Sequence, residues 1–271
     1  MSTVDTSDRF GFGKNWSQFV ENNLTDERIE NARQKLLGFL GVDSLAGKSM
    51  IDVGCGSGIH SLAANRSGVS KLVSFDYDPL SVSATNTLRK RQGMPENWHL
   101  TQGSVLDPAF LSTLGQFDIV YSWGVLHHTG NLWAALENVI PLVAPGGTLF
   151  IALYAAEPQK PSPEFWLKVK KRYNDGGWVT KRAIEGWYIA RHFAGIVFRS
   201  HQNPITFIRD YKDKRGMSYL IDVRDWVGGW PMEFSTTKEV RAFYEERGFR
   251  LTKISEGEAN TEYLFSRVSQ S

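Results

Sequence analysis

Residues 50–60 read Met50-Ile51-Asp52-Val53-Gly54-Cys55-Gly56-Ser57-Gly58-Ile59-His60, an apolar strand pattern that runs straight into glycines at every second position. Glycines directly after a strand let the backbone turn sharply, admit a ligand against the main chain and aim the next helix's N-terminus at it. Gly54, Gly56 and Gly58 give G-x-G-x-G, which departs from the dinucleotide fingerprint G-x-G-x-x-G in lacking a third glycine one residue later. A nucleoside-bearing ligand is still implied. Asp76 ends the next apolar run, about 20 residues on, where a carboxylate can accept both hydroxyls of a ribose. The competing reading of Asp76 is a helix cap, and Cys55 reads as a small residue that fits a crowded turn.

Outward from this loop, strand and helix signals alternate. Segments 49–53, 71–77, 97–104, 117–123 and 148–154 are short and apolar, with enough chain between them for crossover helices. Upstream, Thr25 predicts a helix cap, with Asp26 and Glu27 in the first turn and Ile29, Ala32, Leu36, Leu37 and Leu40 on one face. Segment 131–143 predicts a helix stopped by Pro145 and its neighbouring glycines. A later helix over 235–248 carries the capping-box pair Thr236 and Glu239 and ends at Gly248, and two closing strands follow at 249–255 and 261–268. The predicted fold is α/β: a doubly wound, seven-stranded, mostly parallel sheet of the Rossmann-like kind, with a mainly helical cap inserted after the fifth strand.

The rhythm breaks between Tyr154 and Ser235. Residues 157–232 hold 14 Lys or Arg against 8 Asp or Glu, whereas the whole chain carries a net charge of only +2, so the basic character is local. This divides the chain into a ligand-binding domain, 1–156 and 233–271, and an inserted cap, 157–232, that faces a substrate. A chain of 271 residues with 41% hydrophobic content can bury a full core. Its single cysteine has no disulfide partner, which fits a reducing compartment. The N-terminus shows no signal pattern, and no run approaches the roughly 20 apolar residues of a spanning helix. A cytoplasmic location, no membrane partner, and a monomer or homodimer are the expectations.

The ordered set IDVGCGSG (51–58), FDYDP (75–79), QGSVLD (102–107), FDIVYSWGVLHHTG (117–130) and LVAPGGTLFIA (142–152) resembles the class I S-adenosylmethionine-dependent methyltransferases. Within them it is similar to the small-molecule group that includes ubiquinone-pathway O-methyltransferases. The resemblance covers roughly residues 45–156 and 233–268. The segments FGFGKNW (10–16) and GMSYLIDVRDWVGGWPME (216–233) are also similar to uncharacterised methyltransferases. The implied cofactor is S-adenosylmethionine. Gly54, Gly56 and Gly58 would pass beneath its methionine portion and ribose, Asp52 would orient the loop or the cofactor's amino group, and Asp76 would hold the ribose. Tyr77 would lie beside the adenine, with Ser104 and Val105 bordering it; Ser104 stands where such families often carry Asp. Trp123 and Gly124 would close the other side of the sulfonium.

Methyl transfer to a hydroxyl needs a group that removes a proton, and His127, then His128, are the candidates, because they follow the fourth strand at its C-terminal end. The alternative is a pair of turn histidines bonded to backbone. No metal is expected, since adjacent histidines without a further H-x-x-x-H or cysteine cluster do not make a site. Asp225 and Trp226, with Asp222, Trp230 and Tyr154, are the substrate-binding candidates, and His192, His201, Arg209, Tyr211 and Arg215 are further residues of the cap that a pocket could use. Phe10 and Trp16, set among flexible glycines, read as an arm that folds over cofactor and substrate, or else as a staple for the first helix. The predicted function is methyl transfer to a hydroxyl or amine of a small metabolite, with nucleic acid not expected as a partner. Alternatives are an RNA methyltransferase, favoured only by the basic aromatic insertion, and a nicotinamide-dependent oxidoreductase, against which the glycine spacing argues.

Overall fold

The computed structural model describes residues 10–200, 203–215, 219–257 and 260–268; His201 and Gly216, Met217 and Ser218 of the cap motif lie outside them. The strands are β1 (Ser49–Val53), β2 (Lys71–Asp76), β3 (Trp98–Gln102), β4 (Phe117–Trp123), β5 (Val143–Tyr154), β6 (Phe249–Glu256) and β7 (Asn260–Arg267). Among the described residues they form one sheet in the order β3-β2-β1-β4-β5-β7-β6. All neighbours as far as β5 are parallel, and β7 enters antiparallel between β5 and β6. Strand order reverses between β1 and β4, which opens a crevice at the carboxyl ends of those two strands.

Both faces of the sheet's centre are covered, so the inner strands β1 and β2 and the second half of β5 are apolar on both sides. Alternate residues of β1 divide between two cores: Ile51 and Val53 pack with Val73, Phe75, Val120 and Ile151, whereas Met50 packs with Leu72, Ile119, Tyr121 and Phe150. The helices around the sheet are α1 (Phe12–Asn22), α2 (Asp26–Leu40), α3 (Ile59–Arg66), α4 (Pro79–Arg91), α5 (Pro108–Ser112), α6 (Leu132–Val139) and α11 (Thr237–Glu245). Thr25 caps α2 by accepting the Arg28 N–H, and Thr236 and Glu239 form the expected capping box on α11. Between β5 and α11 lie α7 (Pro163–Asp175), α8 (Trp178–Ser200), α9 (Pro204–Arg215) and α10 (Tyr219–Gly228). Buried Glu185 ties three of these together: it accepts from the Tyr173 hydroxyl at 2.7 Å and pairs with Arg182 at 2.8 Å and Arg224 at 3.4 Å.

Two local expectations are corrected. Helix α6 stops at Val139, and a 3₁₀ turn, Ile140–Leu142, centres on Pro141 rather than Pro145. The fifth strand therefore begins at Val143, pairs there with Phe117, and passes through a register shift before regular pairing resumes at Thr148. The glycine-containing N-terminal stretch is also a helix from Phe12 onward. Glycine in a helix costs about 1 kcal/mol against alanine, but Gly13 sits where its N–H donates to Asp78 Oδ2 at 2.9 Å. A Cβ there would come within 2.5 Å of the same oxygen, so tertiary contact outweighs propensity.

Candidate active site

A cavity of about 1310 Å³ fills the crevice and continues under the cap. It exceeds the roughly 300–1,000 Å³ of a typical single-ligand pocket, which leaves room for a cofactor and a second molecule. Asp52, Gly54, Gly56, Asp76, Tyr77, Ser104, Val105, Trp123 and Gly124 line its lower part. Phe10 and Trp16 contribute from the N-terminal segment, His127, His128 and Tyr154 from the ends of β4 and β5, and Asp222, Asp225, Trp226 and Trp230 from the cap side. His192 and Tyr211 also reach it. Gly58 does not: it lies off the cavity, where an added Cβ would meet Thr85 of α4 at 2.8 Å. Its role is to let α3 start hard against α4.

The glycine loop is built to keep side chains out. Gly54 has φ 76° and a Cβ there would lie 2.4 Å from Val125 Cγ1; Gly56 has φ 54° and sits beneath the Trp16 indole, 3.1 Å from the same kind of added atom. The Gly54 and Cys55 N–H groups both donate to the Phe75 carbonyl, at 2.8 and 3.0 Å, so the loop is fastened to the neighbouring strand. Asp76 fastens the rest. Its Oδ2 accepts the Gly56 N–H and its Oδ1 the Asp78 N–H, each at 2.9 Å. The helix-capping role belongs to Asp78, which accepts the Leu80 N–H at 2.8 Å. Burial is the main cause that raises the Asp76 pKa to about 6, against the backbone N–H groups of Asp78, Gly56 and Tyr77 that lower it. Beyond these backbone donors the carboxylate keeps accepting capacity for a ribose hydroxyl.

Asp52 lies deeper. Its carboxylate accepts the Ser61 hydroxyl at 2.5 Å, Ser61 and Ser74 oxygens are 2.7 Å apart, and the Trp98 indole N–H donates to Ser74 at 2.9 Å. Burial raises its pKa to about 7, with the Asp76 charge adding to the effect. On the opposite wall Trp123 donates to Glu262 at 2.6 Å, and the His60 ring lies 5.2 Å from that of Tyr121 and 6.4 Å from that of Trp123.

The two histidines occupy a 3₁₀ turn, Leu126–His128, and are held in different tautomers. The Tyr154 N–H donates to His127 Nδ1 at 3.4 Å, which places the proton of the neutral ring on Nε2. His128 Nδ1 stands 2.7 Å from the Pro231 carbonyl, which can only accept, so its Nδ1 is protonated and Nε2 carries the lone pair. Burial pushes His127 well below the usual imidazole range, and the charges of His128 and Lys170 add to this. Burial likewise brings His128 to about 4, against the Pro231 carbonyl. Both are neutral at pH 7. The Nδ1 contacts leave Nε2 of His128 as that ring's acceptor and Nε2 of His127 as that ring's N–H.

Several residues of the site escaped the sequence reading. Glu233 holds the histidine turn from outside: its N–H donates to the His127 carbonyl at 2.8 Å and its Oε2 accepts the Leu132 N–H at 2.9 Å. Lys170 is buried, donates to the Trp226 carbonyl and lies 4.6 Å from the Trp226 ring centroid. Burial lowers its pKa to about 7, opposed by Asp225, whose own pKa burial raises to about 7. Asn15 of α1 donates to Asp225, and the Phe10 N–H donates to the Trp230 carbonyl at 2.9 Å, so the N-terminal segment joins the cradle to the cap. One signal was available for Lys170: the spacing of Trp166, Lys170 and Tyr173 puts the lysine on the buried face of α7. Among the described residues no cluster of His, Cys, Asp or Glu is placed to hold a metal ion, and no helix is long and apolar enough to cross a membrane.

The reversed strand order, the glycine loop and the carboxylate at the end of β2 are those of a nucleoside-binding α/β protein. The family described as "Methyltransferase domain" matches residues 24–250, and the chain belongs to it. S-adenosylmethionine is the cofactor of that family, and the cradle fits it. The chain is 31% identical over 142 residues to the tRNA U34 carboxymethyltransferase of Klebsiella pneumoniae subsp. pneumoniae, a match covering 52% of this chain and 41% of that protein. It is 25% identical over 204 residues to the ubiquinone biosynthesis O-methyltransferase of Psychrobacter arcticus, covering 71% and 74% respectively. An O-methyltransferase family protein from Burkholderia thailandensis shares the fold, with a TM-score of 0.58 at 12% identity, over 96% of this chain and 59% of that one.

Proposed function

We propose that the protein transfers a methyl group from S-adenosylmethionine to a hydroxyl group of a small aromatic metabolite held under the cap. The cofactor supplies a methyl group made electrophilic by its sulfonium, open to in-line displacement. The chain's own residues do the remainder. Gly54 and Gly56 let the backbone approach the ligand, Asp76 accepts from ribose hydroxyls, and Tyr77, Ser104 and Val105 border the base. Trp16, Trp123 and Gly124 exclude water around the reacting end.

The observation that carries the reading is the His128 tautomer. A neutral imidazole with Nδ1–H fixed on Pro231 presents Nε2 as a proton acceptor, and the residue lines the same cavity as the cradle. Glu233 and Pro231 act as positioning groups, because both hold the turn and neither is placed here as a proton acceptor. The cap supports a small acceptor: Tyr154, Trp166, Tyr188, Trp226 and Trp230 give the upper cavity aromatic walls, and α1 bridges its mouth. We assign residues 157–232 to substrate recognition on this basis.

The test is transfer of labelled methyl groups from S-adenosylmethionine to fractionated metabolites and, separately, to bulk tRNA. Label in a small-molecule fraction, lost in the His128→Gln variant, supports the reading. Label confined to tRNA overturns it and points instead to the basic surface of the cap.

A further inference from the structure

The cap side of the cavity carries two cations that no ion pair neutralises. Arg191, on α8, and Lys160, in the segment that leaves β5, both line the cavity and both are exposed. The Arg191 guanidinium donates from Nη2 to the Lys160 carbonyl at 2.8 Å, so the arginine is pinned onto the lysine's own backbone. Both charges therefore stand at one place on the rim. Arg191 uses one N–H in that bond and keeps the rest of its fork. Among the described residues neither side chain is paired with a carboxylate or laid on an aromatic ring.

The acids around this part of the cavity are engaged elsewhere. Glu157 and Glu164 are the nearest to Lys160 in sequence: the first accepts the Thr237 N–H at 2.7 Å, and the second bonds Ser162. On α10, across the cavity, Asp222 accepts the Tyr211 hydroxyl and Asp225 accepts from Asn15. No acidic residue occurs from Gly186 to Arg209, a stretch that includes the whole cavity-lining part of α8. Aromatic surface lies next to the cations, since Tyr188, one turn before Arg191, and Trp166 line the same cavity. A fixed guanidinium and an ammonium beside aromatic walls suit an anion attached to an apolar body. Tyr154, whose ring centroid is 5.6 Å from that of His128, precedes Lys160 by six residues. That is at most about 20 Å of chain, so an anion at the rim and a hydroxyl at His128 can belong to one molecule.

We propose that Arg191 and Lys160 form an anion-reading rim, so that the methyl acceptor carries a carboxylate or phosphate group remote from the hydroxyl that His128 serves. The assignment rests on the reading of this cavity as the site of a small acceptor. Arg191 and Lys160 are specificity residues in it: they select and orient the acceptor, and the chemistry stays at the histidine turn.

The experiment uses the full chain saturated with S-adenosylhomocysteine and two fluorescent probes that share one aromatic body, 8-anilinonaphthalene-1-sulfonate and the uncharged N-phenyl-1-naphthylamine. Affinity for the sulfonate should fall about fivefold in Arg191→Gln and about tenfold when Lys160→Gln is added, the range of exposed charge pairs. The uncharged probe, which reports an intact cavity, should change by less than about twofold. Lys171→Gln, at a lysine paired with Asp175 off the cavity, should change neither. In the wild type, raising salt from about 20 to about 500 mM should weaken the sulfonate alone, a readout that depends on no variant folding. Sulfonate binding that is undetectable, insensitive to salt, unchanged in the double variant or equally weakened in Lys171→Gln overturns the proposal. A second arm follows the labelled small-molecule product, which should be retained by an anion exchanger at neutral pH. Phosphatase should release a phosphate-bearing product and leave a carboxylate-bearing one bound; a product that is uncharged or cationic overturns the proposal. Label found only in tRNA would sink the function proposed above, and the sulfonate measurements would still settle whether the rim takes an anion.

Discussion

His128 and Asp76 are single side chains whose hydrogen bonds fix what they can do. Replacing His128 by Gln keeps a donor for the Pro231 carbonyl but removes the basic Nε2. Turnover should fall by about two to four orders of magnitude, the usual contribution of a positioned general base, while affinity for S-adenosylhomocysteine stays within about twofold; single-turnover rates and calorimetry check both. For Asp76, the folded pKa of about 6 lies above the ordinary 3.8, so the free protein holds this group protonated below about pH 6. Its contribution to folding stability is therefore present at low pH and lost as pH rises through about 6. Ribose hydroxyls donating to the carboxylate favour the ionised form. Cofactor affinity should then weaken as pH drops through about 6, by up to about tenfold per unit, and Asp76→Asn should flatten that slope. A slope retained in Asp76→Asn would assign the titration to Asp52, which also lies on the cavity wall and has a raised pKa of about 7.

At the level of elements, the strands, the glycine loop and the helix caps were legible because each is written in a few consecutive residues. Apolar runs mark β1 to β5, and Thr236 with Glu239 announces α11 by local chemistry alone. The exact start of β5 was not legible, since Val143 to Gly147 join the strand through pairing with Phe117 and a register shift that no local pattern encodes. Helix α1 was hidden for the same reason: Gly13 is admitted by Asp78, 65 residues away. Gly58 shows how a motif residue can act in packing. With φ 79° and Thr85 2.8 Å from an added Cβ, Gly58→Ala strains the backbone and drives α3 off α4 together. A loss of about 2–4 kcal/mol follows from left-handed strain plus overpacking, read as a lower midpoint in urea with unchanged slope. Cofactor affinity should change less than in Gly56→Ala, whose added methyl points at Trp16 in the cavity wall.

Across the whole molecule, α1 is the joint between two ligand surfaces. Gly13 bonds Asp78 beside the cradle, Trp16 covers Gly56, Asn15 holds Asp225 of the cap, and Phe10 bonds Trp230. None of these links could be read from composition, because every one joins residues far apart in sequence. The buried groups of the cap and the cradle have raised or lowered pKa values chiefly through burial. A ligand that fills the cradle should act on that joint as well as on itself. S-adenosylhomocysteine at 100 times its dissociation constant should add about 2.7 kcal/mol of stability by mass action, a rise of roughly 5–10 °C in Tm for a chain of this size. Because Trp16 rests on the loop that the ligand contacts, amide exchange across Phe12–Asn22 should slow along with that of 54–58. In Asn15→Ala the cradle should keep its protection on ligand binding while the response of 222–230 weakens, since the hydrogen bond to Asp225 is a polar side-chain link from α1 to the cap. Equal protection of the cap in that variant and in wild type would mean that cofactor occupancy reaches the roof through the sheet ends, by way of Tyr154 and the histidine turn, and that the N-terminal helix serves only to cover the loop.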